Sequence, residues 1–160
     1  MFDFAPDPSQ AKAEIYADLI MAARAVTQDE PDGVANMANV AALLWQYLPR
    51  LNWAGFYRVI GSELVLGPFI GKPACIRIPF GKGVCGAAAA SGETQLVADV
   101  HAFPGHIACD STSASELVVP LRRDGMVIAV IDLDSPDIAR FDSEDAAGIE
   151  GLAAAIAALI

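Results

Sequence analysis

At 160 residues the chain can build one hydrophobic core unaided, because a globule of this size buries roughly 70% of the surface its unfolded form exposes. Hydrophobic residues are 54% of it and charged residues 19%, which excludes intrinsic disorder. The formal net charge of −10 opposes a phosphate-neutralising surface, so nucleic acid is not an expected partner.

The start, Met1-Phe2-Asp3-Phe4, has neither the basic region nor the apolar stretch of a secretory leader, and a cytoplasmic protein is expected. Pro8 and Ser9 can open a first helix whose buried stripe is Ile15, Leu19, Ala22 and Val26. After a turn at Asp29-Glu30-Pro31-Asp32-Gly33, a second helix is expected to bury Val34, Ala38, Ala41, Leu44, Trp45 and Leu48, and to end at Pro49. The period then changes. Asn52 to Ile60 and Glu63 to Ile70 are aromatic and β-branched strands around a Gly61-Ser62 turn. Cys75 to Phe80 reads as a third strand, and Gly81-Lys82-Gly83 turns into a short helix over Val84 to Ala90 that Gly92 closes.

Gln95 to Ala98 is a short strand, and residues 99–113 form a long loop of the kind that is usually functional. Glu116 to Leu121 and Met126 to Asp134 make a second hairpin, with Asp124-Gly125 supplying its turn. Asp142 or Ser143 caps a last helix whose stripe is Ile149, Leu152, Ile156 and Leu159. Its most apolar part, Leu152 to Ile160, is about half a bilayer span, so no membrane is expected. Helices at both ends of hairpin-connected strands predict an α+β fold with a largely antiparallel sheet, and residues 1–160 read as a single domain.

Three cysteines, Cys75, Cys85 and Cys109, fit neither a secreted disulfide framework nor a zinc site, and should be thiols or transient disulfides. Cys109 lies in a loop rich in small and polar residues, where a thiol can be reactive; an inert packed cysteine is the alternative. Cys85 enters a helix after Lys82, and both the helix dipole and that lysine would favour its thiolate. Cys75, opening a strand, reads as the most core-like. Gly81-Lys82-Gly83 lacks the spacing of a phosphate loop, and Asp99, His101, His106 and Cys109 lack that of a metal site, so neither nucleotide nor metal is expected there.

Asp132 and Asp134 stand two apart on a strand and share a face. Counting outward from the Asp124-Gly125 turn brings Glu116 opposite the neighbourhood of Leu133, so three carboxylates crowd one rim. Such a trio implies a cation, a metal or a shared proton; a solvated strand end is the plain alternative. Trp53 and Tyr57 also share a face, and can wall an apolar or soft-sulfur ligand.

The segments Asn52-Trp53-Ala54-Gly55-Phe56-Tyr57, Leu66-Gly67-Pro68-Phe69, Cys75-Ile76-Arg77-Ile78-Pro79, Gly81-Lys82-Gly83-Val84-Cys85-Gly86, Gly105-His106-Ile107-Ala108-Cys109-Asp110 and Ile131-Asp132-Leu133-Asp134-Ser135 together resemble the free methionine-(R)-sulfoxide reductases. The resemblance runs in order through nearly all of the chain beyond the first thirty residues. It implies a GAF-type domain, a central antiparallel sheet flanked by helices, with no metal and no cofactor. It also implies that Cys109 attacks as thiolate, that Cys75 or Cys85 then resolves the oxidised form to a disulfide, and that Trp53, Tyr57, Glu116, Asp132 and Asp134 bind substrate.

On that reading the partners are free methionine sulfoxide and a thioredoxin-type dithiol that recycles the enzyme. Asp132 is expected nearest the departing oxygen, and a homodimer is expected by fold analogy alone. The rival reading is a non-enzymatic GAF sensor that binds a small ligand; a cysteine-linked chromophore domain is a third. Neither predicts thiol oxidation by methionine sulfoxide.

Overall fold

Turn chemistry fixes the sheet. Asp124 and Gly125 take φ of 53° and 78°, as a two-residue type I′ turn requires, and join β5 (Ser115–Arg123) to β6 (Met126–Ser135). Gly61, at φ 65°, lies in the turn between β1 (Trp53–Ile60) and β2 (Glu63–Gly71). β1 also pairs with β6, and the short strands β3 (Arg77–Pro79) and β4 (Gln95–Val97) form the edges. The order is β3-β2-β1-β6-β5-β4, antiparallel throughout. This computed structural model describes residues 4, 6–7, 9–107 and 110–160.

Strand alternation gives the sheet two faces. On one, Ala54, Phe56, Leu117, Ile131 and Leu133 pack with residues of α1 (Lys12–Thr27), α2 (Gly33–Tyr47) and α4 (Ser143–Ile156). Asp142 caps α4 by accepting from the Glu144 and Asp145 backbone N–H groups. Asp145, 1% exposed, accepts from the Tyr16 hydroxyl at 2.7 Å and pairs with Lys12 and Arg140, tying α1 to α4. On the other face Trp53, Tyr57, Val118 and Val130 meet α3 (Gly83–Ser91). That helix buries Gly83, Val84, Cys85, Gly86, Ala88 and Ala89, nearly its whole circumference, and ends at Gly92 with φ 68°. Among the described residues no helix is long and apolar enough to cross a membrane.

The predicted elements are present with three corrections. The second helix buries Met37, Val40, Leu43, Leu44 and Tyr47, whereas Val34 and Trp45 are exposed. Apolar residues lie on several sides of that helix, and packing on β1 and β2 selected a face rotated from the expected stripe. The first helix begins at Lys12, after its expected start. Cys75 precedes β3, in a loop, because that strand pairs with β2 only from Arg77 to Pro79.

A β-bulge decides which side of the sheet receives the acids. Near the turn Arg122 opposes Val127, but Leu121 opposes Ala129, so Ile128 is an extra residue on β6. Beyond it Glu116 opposes Asp134 and Val118 opposes Asp132. A regular ladder counted from the turn would set Glu116 against Leu133, on the opposite face. The bulge therefore places Glu116, Asp132 and Asp134 on one side together.

Candidate active site

Pairing with β1 completes the site. Trp53 lies opposite Asp134, Gly55 opposite Asp132 and Tyr57 opposite Val130, so the aromatic pair shares the carboxylates' face. Gly55 lies tight against β2, where a Cβ would strike Phe69 and the Pro68 carbonyl. Trp53 stacks on Tyr57 at 5.8 Å and on Phe69 at 5.2 Å, in a continuous aromatic wall. Its indole N–H donates to the Lys72 carbonyl at 3.2 Å, and the Tyr57 hydroxyl donates to the Cys75 carbonyl at 3.0 Å. Both rings are thereby fixed to the β2–β3 loop.

Two cavities flank the acids and share Tyr57, Asp110, Asp132 and Asp134. One is bounded by Trp53, Pro73 and Ala74. The other is bounded by Cys85, His106, Ile107 and Glu116. Cys85 Sγ lies 4.0 Å from Glu116 Oε1, and His106 Nε2 lies 3.8 Å from Glu116 Oε2. Asn52 Nδ2 reaches Ser113 Oγ at 3.0 Å and Thr112 Oγ1 at 3.2 Å, holding the loop before β5 over the strand ends.

The electrostatics are those of carboxyls crowded together under burial. Glu116 and Asp132 are each 6% exposed and Asp134 is half-buried. Burial, then the neighbouring Asp132, pushes Glu116 well above the carboxylate range. The same two causes raise Asp134, with the Ser113 hydroxyl pulling back. Burial lifts Asp132 to about 6, and hydrogen bonds from Cys85 and Glu116 hold it from rising further. Burial thus raises all three carboxyls above their ordinary range.

Asp132 Oδ1 is buried with no hydrogen-bond partner. Among the described residues no lysine or arginine pairs with any of the three. Burial, then the neighbouring His101, lowers the pKa of His106. Lys72, the cation at the rim, is committed to Asp110 at 3.2 Å. Asp110 is held down at about 2, chiefly by the Thr112 backbone N–H and hydroxyl and by that lysine.

The cysteines differ from their expected settings. Cys85, 4% exposed, is a free thiol. Burial, then the charges of Asp132 and Glu116, drives its pKa well up, even though Lys82 lines the same cavity, so the helix start does not favour a thiolate. The core-like cysteine is therefore Cys85, whereas Cys75 is half-buried and disulfide-bonded. Cys109 lies outside the described residues. Asp99 is occupied in accepting the His101 backbone N–H at the start of a short 3₁₀ turn. Asn52, Lys72, Asp110 and Ser113 were not singled out from sequence. Polar loop residues have no period, and their part depends on which strand ends the fold brings under them.

A short buried helix over one sheet face, with acids and aromatics gathered beneath it, makes this a GAF-domain protein: residues 35–160 match the GAF domain family. The chain is 54% identical to Protein YtsP of Bacillus subtilis over 84% of its length and 83% of that protein. It is 49% identical to the free methionine-R-sulfoxide reductase of Escherichia coli, covering 89% of this chain and 87% of that one. The X-ray structure of free methionine-R-sulfoxide reductase from Neisseria meningitidis, in complex with its substrate, matches with a TM-score of 0.94 at 46% identity, over 99% of this chain and 95% of that one. The chain belongs to the family of the free methionine-R-sulfoxide reductases.

Proposed function

We propose that this protein reduces free L-methionine-(R)-sulfoxide to methionine with a cysteine thiolate, passing through a sulfenic acid and an intramolecular disulfide that a thioredoxin-type dithiol reopens. The observation that carries the reading is the trio Glu116, Asp132 and Asp134, buried on one face, with Asp132 Oδ1 unpartnered beside the Trp53–Tyr57 wall. A free amino acid brings an ammonium to those oxygens, whereas a methionine within a peptide brings none and leaves the acids unpaired. Trp53 and Tyr57 enclose the methyl and thioether, which favour aromatic contact. The reductases of Escherichia coli and Neisseria meningitidis support the same substrate.

In the chemical step Cys109, as thiolate, attacks the sulfoxide and takes its oxygen, and the sulfur–oxygen bond of the substrate breaks. The substrate sulfur is reduced by two electrons and Cys109 is oxidised to sulfenic acid. A proton must reach the oxygen as it transfers. Glu116 and Asp132 are buried with carboxylate oxygens within 4.8 Å of each other, and burial raises both, so the proton belongs to the pair, with Asp132 presenting it. A second thiol then displaces water from the sulfenic acid to form the disulfide. Cys75 is the candidate, supported by its half-buried loop position and its disulfide, while Cys85 is a deeply buried, protonated thiol. Finally an external dithiol returns both cysteines to thiols.

Incubating reduced protein with each epimer of free methionine sulfoxide tests this directly. The R epimer should yield methionine equimolar with protein while a pair of thiols disappears. Equal conversion of both epimers, or of neither, would defeat the assignment.

A further inference from the structure

We propose that Cys85, Glu116 and Asp132 also form a binding site for a zinc-like divalent metal inside this pocket. One ligand atom from each residue, the Cys85 sulfur and a carboxylate oxygen of Glu116 and of Asp132, lies within 4.8 Å of the other two, and all three residues are buried. Tetrahedral zinc with a sulfur near 2.3 Å and oxygens near 2.1 Å needs ligand atoms roughly 3.5 Å apart, so small side-chain rotations bring these atoms into place.

A buried, unpartnered oxygen points to a ligand. Asp132 Oδ1, on a residue 6% exposed that lines this cavity, has no hydrogen-bond partner. His106 Nε2 lines the same cavity 3.8 Å from Glu116 Oε2 but lies outside the three-residue ligand set.

The donor chemistry selects the metal. An ammonium serves the two carboxylates but offers nothing to a thiol. Magnesium and calcium take oxygen ligands, so Cys85 gives them no advantage. A thiolate with two carboxylates suits zinc or cobalt. Binding releases the Cys85 proton and the proton held by the Glu116–Asp132 pair to solvent, and leaves every oxidation state unchanged. Because metal and substrate ammonium would both use Glu116 and Asp132, occupancy by one should exclude the other; this competition rests on the proposed function, and the metal site does not.

Cobalt(II) titration of the Cys75→Ser/Cys109→Ser protein, in which Cys85 is the sole thiol, tests the site. A saturable thiolate-to-cobalt charge-transfer band at equimolar metal is expected, erased by zinc and untouched by magnesium. Adding Cys85→Ser should abolish it, and Glu116→Gln should weaken cobalt binding at least about tenfold. No band in the sole-thiol protein, or a band that survives Cys85→Ser, overturns the site. If circular dichroism shows the sole-thiol protein unfolded, reduced wild type is compared with Cys85→Ser alone, and an unchanged band is then the refuting result. Free methionine sulfoxide should raise the apparent cobalt Kd. If the band forms but does not respond, the metal site stands and the ammonium placement fails.

Discussion

Replacing Asp132 with asparagine is expected to stabilise the ligand-free protein at neutral and alkaline pH while removing its affinity for substrate. Burial lifts this carboxyl from 3.8 to about 6, a little over two pH units. At about 1.4 kcal/mol per unit, ionising it inside the fold costs about 3 kcal/mol. Since the folded pKa is the higher one, that stability is present in full below about pH 4 and is lost as pH rises through about 6. Asparagine does not titrate, so the variant should match wild type near pH 4 and gain up to about 3 kcal/mol by pH 8, less any hydrogen bond the amide fails to make. In a chain of this length that is about 6–12 °C in Tm. Thermal or urea melts of reduced, ligand-free protein across this pH range measure it. A difference that stays flat with pH, or that favours wild type at pH 8, would refute the account of a strained, cation-seeking site. Free methionine sulfoxide at about 100 times its Kd should return about 2.7 kcal/mol to wild type and nothing to the variant.

Cys109→Ser should abolish single-turnover methionine release with the melting transition kept, and any retained release would remove the nucleophile assignment. Cys75→Ser should still yield one round of methionine yet slow thioredoxin-driven cycling; unaffected cycling would move the resolving role to Cys85. Gly55→Ala should cost about 1–3 kcal/mol, because its Cβ meets Phe69, whose ring supports Trp53, and should raise KM. A variant as stable as wild type with unchanged KM would show that this clearance is not needed.

Much of the fold was legible where period and turn chemistry agree. The Asp124-Gly125 and Gly61-Ser62 turns located both hairpins, and strict alternation put Asp132 and Asp134 on one face. Legibility failed where the pattern is uniform. Met126 to Ile131 is apolar throughout, so no break in alternation marks the bulge at Ile128. For the same reason the second helix could not declare whether Trp45 or Tyr47 faced inward. Cys85 was misjudged because dipole and lysine are local signals, while burial under carboxylates from β5 and β6 comes from tertiary packing. The metal-ligand set was equally invisible: spacing arguments look within one segment, and Cys85, Glu116 and Asp132 come from a helix and two strands.

The bulge also makes a prediction of its own, because it is the feature that reconciles a two-residue turn with acids gathered on one side. Deleting Ile128 removes the extra residue but leaves Arg122 opposite Val127 and Leu121 opposite Ala129, so every pair from there to Glu116–Asp134 keeps its register. The variant should lose about 1–2 kcal/mol for a half-buried isoleucine and still bind free methionine sulfoxide. If the bulge instead held the site by its local bend, the deletion would leave a folded protein that has lost its substrate, and binding calorimetry on a variant with an intact melting transition separates the two. Parity, on this account, is what the bulge preserves: by leaving Ile128 unpaired near the turn, it keeps the extra residue from shifting the register, so Glu116 stays opposite Asp134 and faces the pocket with Asp132.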